Sequence, residues 1–372
     1  MNMKDSWFNI EKTDLIDSPA LVIYPDRVKE NIRLLKTMID DPQRLRPHVK
    51  THKTKEATLL LMEAGIQKFK CATIAEAEML GMCEAKDVLL AYQPNGPKLK
   101  RFLALIKKYP ATLFSCLADN VESAKQVSET AVDNGLVIPV YIDINAGMNR
   151  TGIHPGKEAI QLYEYCSTLD GIKLMGFHVY DGHIHDTDMQ KRIALCNEAF
   201  APVEEMILTL TKKGYEKPRL IAGGTPTFPI HAKRKDAECS PGTFIYWDKG
   251  YQDTLPEQNF LPAALVITRI ISLPGETKLC LDLGHKSVAA ENDLFHRIYF
   301  LNAPELKIVS QSEEHLVVET SKGHSWKIGD LLYGLPIHIC PTCALYESAD
   351  IVENGVITGS WKMIARDRKI NI

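Results

Sequence analysis

From about residue 18 to residue 250, short apolar runs alternate with longer stretches in which polar and apolar residues repeat at helical spacing. Ala20–Ile23 and Val88–Tyr92 are two of the runs, and Lys55–Ala64 and Val121–Asp133 are two of the helical stretches. Strands that alternate with helices in this way predict right-handed crossovers and a parallel sheet. We count nine candidate strands, one more than an eight-stranded (β/α) barrel needs. A doubly wound open sheet is the alternative, but no Gly-x-Gly-x-x-Gly follows an early strand.

The pattern changes after about residue 256, where long helical periods disappear. Leu265–Ser272, Thr277–Asp282, Lys307–Ser310 and Leu316–Thr320 are β-branched runs with turn residues between them. Such runs predict a second, mainly antiparallel β domain. No Gly/Ser linker separates the two parts.

Length and composition agree with a two-domain globular protein. The chain has 372 residues, of which 45% are hydrophobic and 24% charged, whereas one domain has roughly 100–200 residues. The net charge of −3 gives no basic footprint, so we expect no nucleic-acid partner. No apolar run reaches the ~18 residues of a membrane helix, and the N-terminus lacks the apolar core of a signal peptide. With nine cysteines at irregular spacing, these features predict a cytoplasmic protein without a membrane partner.

A basic segment, Arg46-Pro-His-Val-Lys-Thr-His-Lys53, ends one of the early strands. Barrel enzymes place their catalytic groups at the carboxyl ends of strands. A lysine there can attack a carbonyl group once burial or a neighbouring charge depresses its pKa. The alternative is a solvated basic loop.

Two glycine-containing loops lie late in the series of strands. Ile221-Ala-Gly-Gly-Thr-Pro-Thr227 follows one strand, and Ser240-Pro-Gly-Thr243 leads into the next run. Glycines followed by hydroxyl residues expose backbone N–H groups that bind phosphate, and barrels often use the loops after strands seven and eight for this purpose. Turns use Gly-Gly routinely, so one loop alone is weak. Together with an early lysine, the two loops indicate pyridoxal phosphate, a phosphorylated carbonyl cofactor.

The late segment His338-Ile-Cys340 is a candidate metal site. If the segment is extended, the imidazole and the thiol lie on the same side of the strand. Both groups bind zinc and similar ions, and two protein ligands leave positions open for water and substrate. A chance His-x-Cys in a β domain is the alternative. A redox pair of Cys340 and Cys343 is disfavoured, because we predict no strand-to-helix turn around it. A second ligand cluster, His183-Ile-His-Asp186, would compete with this reading.

Five motifs together resemble the D-threonine aldolase and D-serine dehydratase family of fold-type III pyridoxal phosphate enzymes, which are related to alanine racemase. They are the basic segment 46–53, Asn149-Arg-Thr-Gly152, Tyr180-Asp-Gly-His183, Gly223-Gly-Thr225 and His338-x-Cys340. The resemblance covers essentially the whole chain. It implies that Arg46–Lys50 is barrel strand one, that Thr243–Tyr246 is strand eight and that Ala20–Ile23 joins the C-terminal sheet. The expected domains are a cofactor-binding barrel over 26–255 and a β domain over 256–372 that includes residues 1–25.

The resemblance also implies roles for individual residues. Lys50, rather than Lys53 or Lys55, would hold the cofactor covalently, and Arg150 would lie near the phenolic oxygen of the cofactor. Tyr180 would lie against the pyridine ring, and His183 near the cofactor as a second catalytic residue. The phosphate would be held by a set of glycines and hydroxyl residues: Gly223, Gly224, Thr225, Gly242 and Thr243. His338 and Cys340 would bind a divalent metal, which is zinc, manganese or magnesium. A rim salt bridge for Arg150 and a barrel-interior role for Tyr180 remain the alternatives.

These roles predict a metal-dependent lyase that cleaves D-threonine-type 3-hydroxy amino acids to glycine and an aldehyde. The nearest alternative is a dehydratase acting on D-serine or D-3-hydroxyaspartate, since the two reactions share their parts. An amino-acid racemase is disfavoured by His338-x-Cys340. A non-catalytic pyridoxal phosphate-binding protein is disfavoured by the long β domain. Relatives suggest a homodimer.

Overall fold

The structure is a computed structural model, and it describes residues 6–372. Residues 1–5 lie outside the described residues. They belong to the predicted N-terminal part of the β domain and to the N-terminus that was expected to lack a signal peptide. Among residues 6–372, no helix combines the length and the apolar character that a membrane crossing requires.

The chain divides into two compact units, which we call the β unit and the α/β unit. The β unit contains three segments: the described residues through Leu34, Thr51–Ala57 and Thr243–Arg366. The α/β unit contains the other three: Leu35–Lys50, Thr58–Gly242 and Asp367–Ile372. The sequence analysis predicted a barrel domain over residues 26–255 and a β domain over the remaining residues.

The strands and helices are numbered along the chain. The strands are β1 (Ala20–Ile23), β2 (Lys68–Cys71), β3 (Asp87–Leu90), β4 (Leu113–Ala118), β5 (Ile138–Ile144), β6 (Ile172–Val179), β7 (Arg219–Ala222), β8 (Ala237–Cys239), β9 (Ala264–Gly275), β10 (Lys278–Leu281), β11 (Ile298–Phe300), β12 (Lys307–Gln311), β13 (Leu316–Glu319), β14 (Leu331–Pro336), β15 (Ser348–Glu353) and β16 (Val356–Lys362). The α-helices are α1 (Pro25–Thr37), α2 (Lys55–Glu63), α3 (Ile74–Met82), α4 (Pro97–Lys108), α5 (Val121–Asp133), α6 (Lys157–Cys166), α7 (Met189–Lys212), α8 (Phe228–His231), α9 (Lys249–Thr254) and α10 (Ile339–Cys343).

The α/β unit is built on a parallel sheet in which the seven strands β2 to β8 lie in chain order. A helix separates each of these strands from the next, as the alternating pattern predicts. Polar residues begin several of the helices: the side chains of Thr73, Asn120 and Asp188 accept backbone N–H groups of the first turns of α3, α5 and α7. Such caps satisfy donors that the helix itself cannot.

The start of the basic segment, together with the preceding residue Leu45, bridges the two edge strands of this sheet. Leu45 forms an isolated parallel bridge with Cys239 of β8, and His48 forms one with Lys70 of β2. These are single bridges and residues 49–52 form a turn, so Arg46–Lys50, which the resemblance implied to be barrel strand one, is not a strand of the sheet. The fold prediction is therefore confirmed as a parallel sheet with a separate, mainly antiparallel domain, while the exact eight-stranded barrel is not confirmed.

The prediction of Thr243–Tyr246 as the eighth strand is wrong. Thr243–Ile245 is a 3₁₀-helix, and the last parallel strand is β8. The N–H groups of Tyr246 and Trp247 both bond back to the carbonyl of Thr243, at 3.2 and 2.8 Å. A four-residue apolar run shows no periodicity that distinguishes a strand from a tight helical turn.

Four strands of the parallel sheet contribute apolar side chains to one buried cluster. Leu89 of β3, Leu117 of β4, Tyr141 of β5 and Ile221 of β7 form this buried cluster. The side chains come from four different strands, and each is at most 2% exposed. This packing leaves the carboxyl ends of the strands for polar side chains.

The β unit contains a sheet of order β12-β13-β10-β9-β1-β15-β16, with β14 paired to both β9 and β11. β1 pairs antiparallel with β9 and parallel with β15, which confirms that Ala20–Ile23 joins the C-terminal sheet. β11, β14, β15 and β16 were not among the predicted runs. β14 contains Gly334 and Pro336, and the side chains of β16 are at least partly exposed, so neither strand has the expected apolar alternation.

Candidate active site

A cavity of about 570 Å³ in the α/β unit lies at the carboxyl ends of the parallel strands. Lys70 is the last residue but one of β2, Asp143 and His178 lie near the ends of β5 and β6, and Tyr180 directly follows β6. The cavity also takes in Lys50 and Arg150. Three residues predicted from separate motifs, Lys50, Arg150 and Tyr180, are thus brought together.

Three cationic side chains surround the ring of Tyr180. The Nζ atoms of Lys50 and Lys70 lie 5.8 and 5.5 Å from the ring centroid, and Cζ of Arg150 lies 4.9 Å from it. Lys50 is half-buried and Arg150 is exposed, whereas Lys70 is buried. The cavity also contains Asp119 and Asp143, so the three cations exceed the carboxylates by one, and this excess suits an anionic ligand.

Arg46 anchors the segment that carries Lys50. Its guanidinium is fully buried, donates to both oxygens of Asp87 at 2.7 and 2.9 Å and donates to Glu238 at 2.7 Å. Burial alone would lower the pKa of Arg46, but its bonds with Asp87 and the two negative charges raise it above the ordinary value. Since Asp87 begins β3 and Glu238 lies in β8, the ion pairs tie the segment to two different strands.

Sequence reasoning missed a buried chain of Asp143, His178 and Lys70. Oδ1 of Asp143 lies 2.7 Å from Nδ1 of His178, and Nε2 of His178 lies 3.4 Å from Nζ of Lys70. Gln93 donates to the other oxygen of Asp143 at 3.0 Å. Burial and the charge of Lys70 lower the pKa of His178, although its bond with Asp143 opposes the change. A signal was available, since Lys70 stands between Phe69 and Cys71 in a predicted strand, and a buried lysine is rare.

The loop of Gly223, Gly224 and Thr225 is held in a fixed conformation. Gly223 has a φ of +71°, and a Cβ there would lie 2.5 Å from Cδ2 of His231, so only glycine fits. Gly224 donates its N–H to Oγ1 of Thr227 at 3.4 Å, and Gly242 donates its N–H to Oγ1 of Thr225 at 3.2 Å. The two predicted phosphate loops therefore meet in the α/β unit. Their role in binding phosphate stays a prediction.

Behind this loop, Asp181, Cys196 and His231 form a fully buried cluster whose possible ligand atoms lie within 4.8 Å of one another. Oδ2 of Asp181 lies 2.8 Å from Nε2 of His231, and Thr227 donates to Oδ1 of Asp181 at 2.8 Å. These hydrogen bonds already satisfy the carboxylate, and burial raises the pKa of Cys196 to about 12. We therefore interpret the cluster as a support for the loop, although its residue types also suit a metal.

The predicted metal ligands lie in the β unit, in a conformation that differs from the expected one. His338 precedes α10 as its N-cap, and Cys340 lies in the first turn of that helix. The extended strand, on which we based the expectation that the side chains share a side, is therefore absent. A hydrogen bond between the two side chains nevertheless brings them together. The strand-to-helix turn that we predicted to be missing is also present, between β14 and α10.

The surroundings of His338 and Cys340 fit a metal. Nδ1 of His338 lies 2.5 Å from Oε1 of Glu291, which would orient the ring and leave Nε2 for an ion. The hydroxyls of Thr51 and Thr243 lie 3.1 and 3.5 Å from Sγ of Cys340, where they can stabilise a thiolate. Thr243, predicted as a phosphate ligand, thus contacts Cys340.

Beneath these ligands, Asp248 was also missed by sequence reasoning. It is buried and accepts two backbone N–H groups: that of Ile339, the first residue of α10, at 3.1 Å, and that of Tyr251, in the first turn of α9, at 2.9 Å. Burial raises the pKa of Asp248 to about 6 despite these bonds. Cys343 is buried, and burial raises its pKa well above the ordinary value, which disfavours a redox pair with Cys340.

The cluster of His183, His185 and Asp186 is at the surface. His183 is exposed, and its Nε2 lies 2.8 Å from the position that a Cβ on Gly147 would occupy. His185 is exposed, and Asp186 forms an ion pair with Lys191 at 2.6 Å. A catalytic role for His183 stays a prediction.

Comparison with known proteins identifies the class. A family described as the alanine racemase N-terminal domain matches residues 23–249, and a putative serine dehydratase domain matches residues 263–352. The first match covers more than half of the chain, so the protein belongs to the family of the alanine racemase N-terminal domain.

Within that class, the similar proteins include aldolases. The chain is 25% identical to a D-threonine aldolase of Arthrobacter sp over 360 residues, which covers 94% of this chain and 93% of the relative. It is 24% identical to a 3-hydroxy-D-aspartate aldolase of Paracoccus denitrificans over 366 residues, covering 95% and 93%. The crystal structure of D-threonine aldolase from Filomicrobium marinum superposes with a TM-score of 0.87 at 24% identity, covering 96% and 98%. The resemblance predicted from the motifs is confirmed, and aldolases of this kind are carbon–carbon lyases.

Proposed function

We propose that the protein is a pyridoxal phosphate- and divalent-metal-dependent aldolase that cleaves D-3-hydroxy amino acids of the D-threonine type to glycine and an aldehyde. The observation that carries the proposal is the cationic cavity at the strand ends, in which Lys50, Arg150 and Tyr180 meet. The 25% identical aldolase, which matches along nearly the full length of both chains, supports the reaction type.

The residues of the cavity fit the cofactor. Lys50 supplies the amine for covalent attachment, Tyr180 supplies an aromatic surface and Arg150 supplies a cation for the phenolic oxygen. The hydroxyl of Thr225 supplies a donor for the phosphate, and the loop glycines Gly223, Gly224 and Gly242, together with Thr243 and His183, are the further candidates. When bound, pyridoxal phosphate supplies an electron sink for the negative charge that develops at Cα.

His338 and Cys340 are the proposed metal ligands, for zinc, manganese or magnesium. A divalent ion there would supply a Lewis acid for the β-hydroxyl of the substrate. In the overall reaction the Cα–Cβ bond breaks, the β-carbon becomes the aldehyde carbonyl, and a proton replaces the β-carbon on Cα. Glu291 orients His338, and the hydroxyls of Thr51 and Thr243 keep Cys340 ready to bind as a thiolate.

A dehydratase acting on D-serine or D-3-hydroxyaspartate is the second candidate. The match of residues 263–352 to a putative serine dehydratase domain favours it. The two reactions differ in the bond at Cα that breaks first, which is Cα–Cβ in the aldolase and Cα–H in the dehydratase. A homodimer and a cytoplasmic location complete the proposal.

Product analysis distinguishes the candidates. The purified protein, loaded with pyridoxal phosphate and a divalent metal, is incubated with D-threonine, D-allothreonine and D-serine. Glycine and acetaldehyde from D-threonine are the expected products. If 2-oxobutyrate and ammonia form instead, the dehydratase replaces the aldolase. If neither pair forms from D-threonine and D-serine also stays intact, the proposed function is wrong.

A further inference from the structure

Lys70 is a buried cation without an anionic partner. Its side chain projects from β2 into the cavity, and the residue is only 2% exposed. Its Nζ atom lies 3.4 Å from Nε2 of His178 and 3.5 Å from the carbonyl oxygen of Gly223. Among the ion pairs of residues 6–372 within 4.0 Å, none includes Lys70. A buried ammonium in this condition is costly, so the site is incomplete as it stands.

The charged and titratable groups around Lys70 come from several neighbouring elements. They are the cations Lys50 and Arg150, the carboxylates Asp143 and Asp181, and the side chains of His178 and Tyr180. The two carboxylates are already engaged, because Asp143 is bonded to His178 and Asp181 to His231. On the remaining side lies His48, whose backbone forms the parallel bridge with that of Lys70.

The charge of Lys70 is therefore easily lost. Burial, followed by the charge of Lys50, lowers the pKa of Lys70 to about 7, although Asp181 and Asp143 oppose the change. Burial thus disfavours the charged form of the amine. An anion that enters the cavity raises this pKa, because it favours the charged form.

We propose that Lys70 is a cofactor-binding residue, whose ammonium pairs with the anionic cofactor and which takes up a proton as the cofactor enters. The inference rests on the proposed function, since it takes pyridoxal phosphate as the ligand of the Lys50 cavity. Three observations carry it: the burial of Lys70, its position over the same ring as Lys50, and its contact with Gly223 of the proposed phosphate loop.

Linkage gives the sign of the pH dependence. Binding is tightest where Lys70 already holds its proton, and it weakens as the pH rises through and above about 7, because each binding event must then bring in a proton. Methionine at this position has a similar length but no charge. Arginine keeps its charge over the whole range.

The test is titration of the apoprotein with pyridoxal phosphate between pH 6.5 and 9, for wild type, Lys70→Met and Lys70→Arg. Lys173→Met, an exposed lysine on β6, is the matched control. At pH 7 we expect Lys70→Met to bind about 10- to 100-fold more weakly than wild type, the range for a lost hydrogen bond to a charged group. The loss should shrink as the pH rises. Lys70→Arg should bind with a flatter pH profile than wild type, and Lys173→Met should match wild type.

Calorimetry in two buffers of different ionisation enthalpy measures the proton directly. Near pH 8, wild type should take up more protons per bound cofactor than Lys70→Met does. The apo form of Lys70→Met should be at least as stable to denaturant as wild type, since it no longer buries an unpaired charge. Equal affinity, or an equal proton uptake, in wild type and Lys70→Met would overturn the inference. If wild type itself binds no pyridoxal phosphate, the proposed function fails instead.

Discussion

Oδ1 of Asp143 lies 2.7 Å from Nδ1 of His178, deep within the α/β unit. The pKa of Asp143 is lowered, because its hydrogen bonds and the nearby charge outweigh the effect of burial, so it is an ionised carboxylate. A carboxylate can only accept a hydrogen bond, so the proton of the imidazole belongs on Nδ1. Nε2 is then left as an acceptor that faces Lys70.

Asp143→Asn removes this control over the imidazole. The amide can donate as well as accept, so His178 no longer has one preferred tautomer. We expect the turnover of D-threonine to fall at least about tenfold, as for a lost charged hydrogen bond. The measurement is kcat beside Asp133→Asn, an exposed control at the end of α5. An unchanged kcat for Asp143→Asn would mean that the tautomer has no role.

Arg46→Met tests the anchor of the basic segment. The substitution leaves Asp87 and Glu238 without their shared partner, although each carboxylate retains some access to water. We expect a loss of roughly 3–5 kcal/mol in the free energy of unfolding, the usual cost of breaking a buried ion pair. Chemical denaturation measures this free energy. The control is Arg33→Met, which removes the exposed ion pair between Arg33 and Glu30. A loss no larger than that of the control would contradict a structural role for Arg46.

Removal of the metal ligands separates the two candidate metal clusters. His338→Ala and Cys340→Ser should lose the bound divalent ion and the turnover of D-threonine, while His231→Gln should keep the ion. Elemental analysis of the purified variants measures this, and a chelator should abolish the turnover of wild type. Retention of the metal by His338→Ala together with its loss from His231→Gln would move the site to Asp181, Cys196 and His231.

Selectivity should be strict at Cα and loose at Cβ. Cleavage requires the scissile bond to lie perpendicular to the cofactor plane, so the protein must fix the rotation about Cα–N. Open positions on a metal with two protein ligands can accept either configuration of the hydroxyl. We therefore expect D-threonine and D-allothreonine to be cleaved and the L-isomers to be nearly inert, as chiral chromatography can measure. Comparable rates with L-threonine would contradict the proposed site.

Sequence reasoning found the parts of the site that lie in local motifs. Lys50, Arg150 and Tyr180 lie in loops or at strand ends, where a basic or aromatic residue stands out from its neighbours. Val121–Asp133 has the bounds predicted from its pattern, because an amphipathic stretch with a clear beginning specifies a helix locally.

The missed residues depend on long-range pairing. Lys70 and His178 are 108 positions apart, and their contact exists only because β2 and β6 belong to the same parallel sheet. Periodicity shows that a strand exists but does not show which polar side chains meet at its end. Spacing alone also failed for His338 and Cys340, where the short helix α10 replaced the expected strand.

Borohydride reduction of the protein loaded with pyridoxal phosphate tests the central claim most directly. The reagent fixes the covalent link between lysine and cofactor as a stable secondary amine, and peptide mapping then locates it. The account predicts one label, on Lys50, and its loss in Lys50→Ala. A label on Lys53, Lys55 or Lys70 in the wild-type protein, or no label at all, would contradict the assignment of the cavity as the cofactor site.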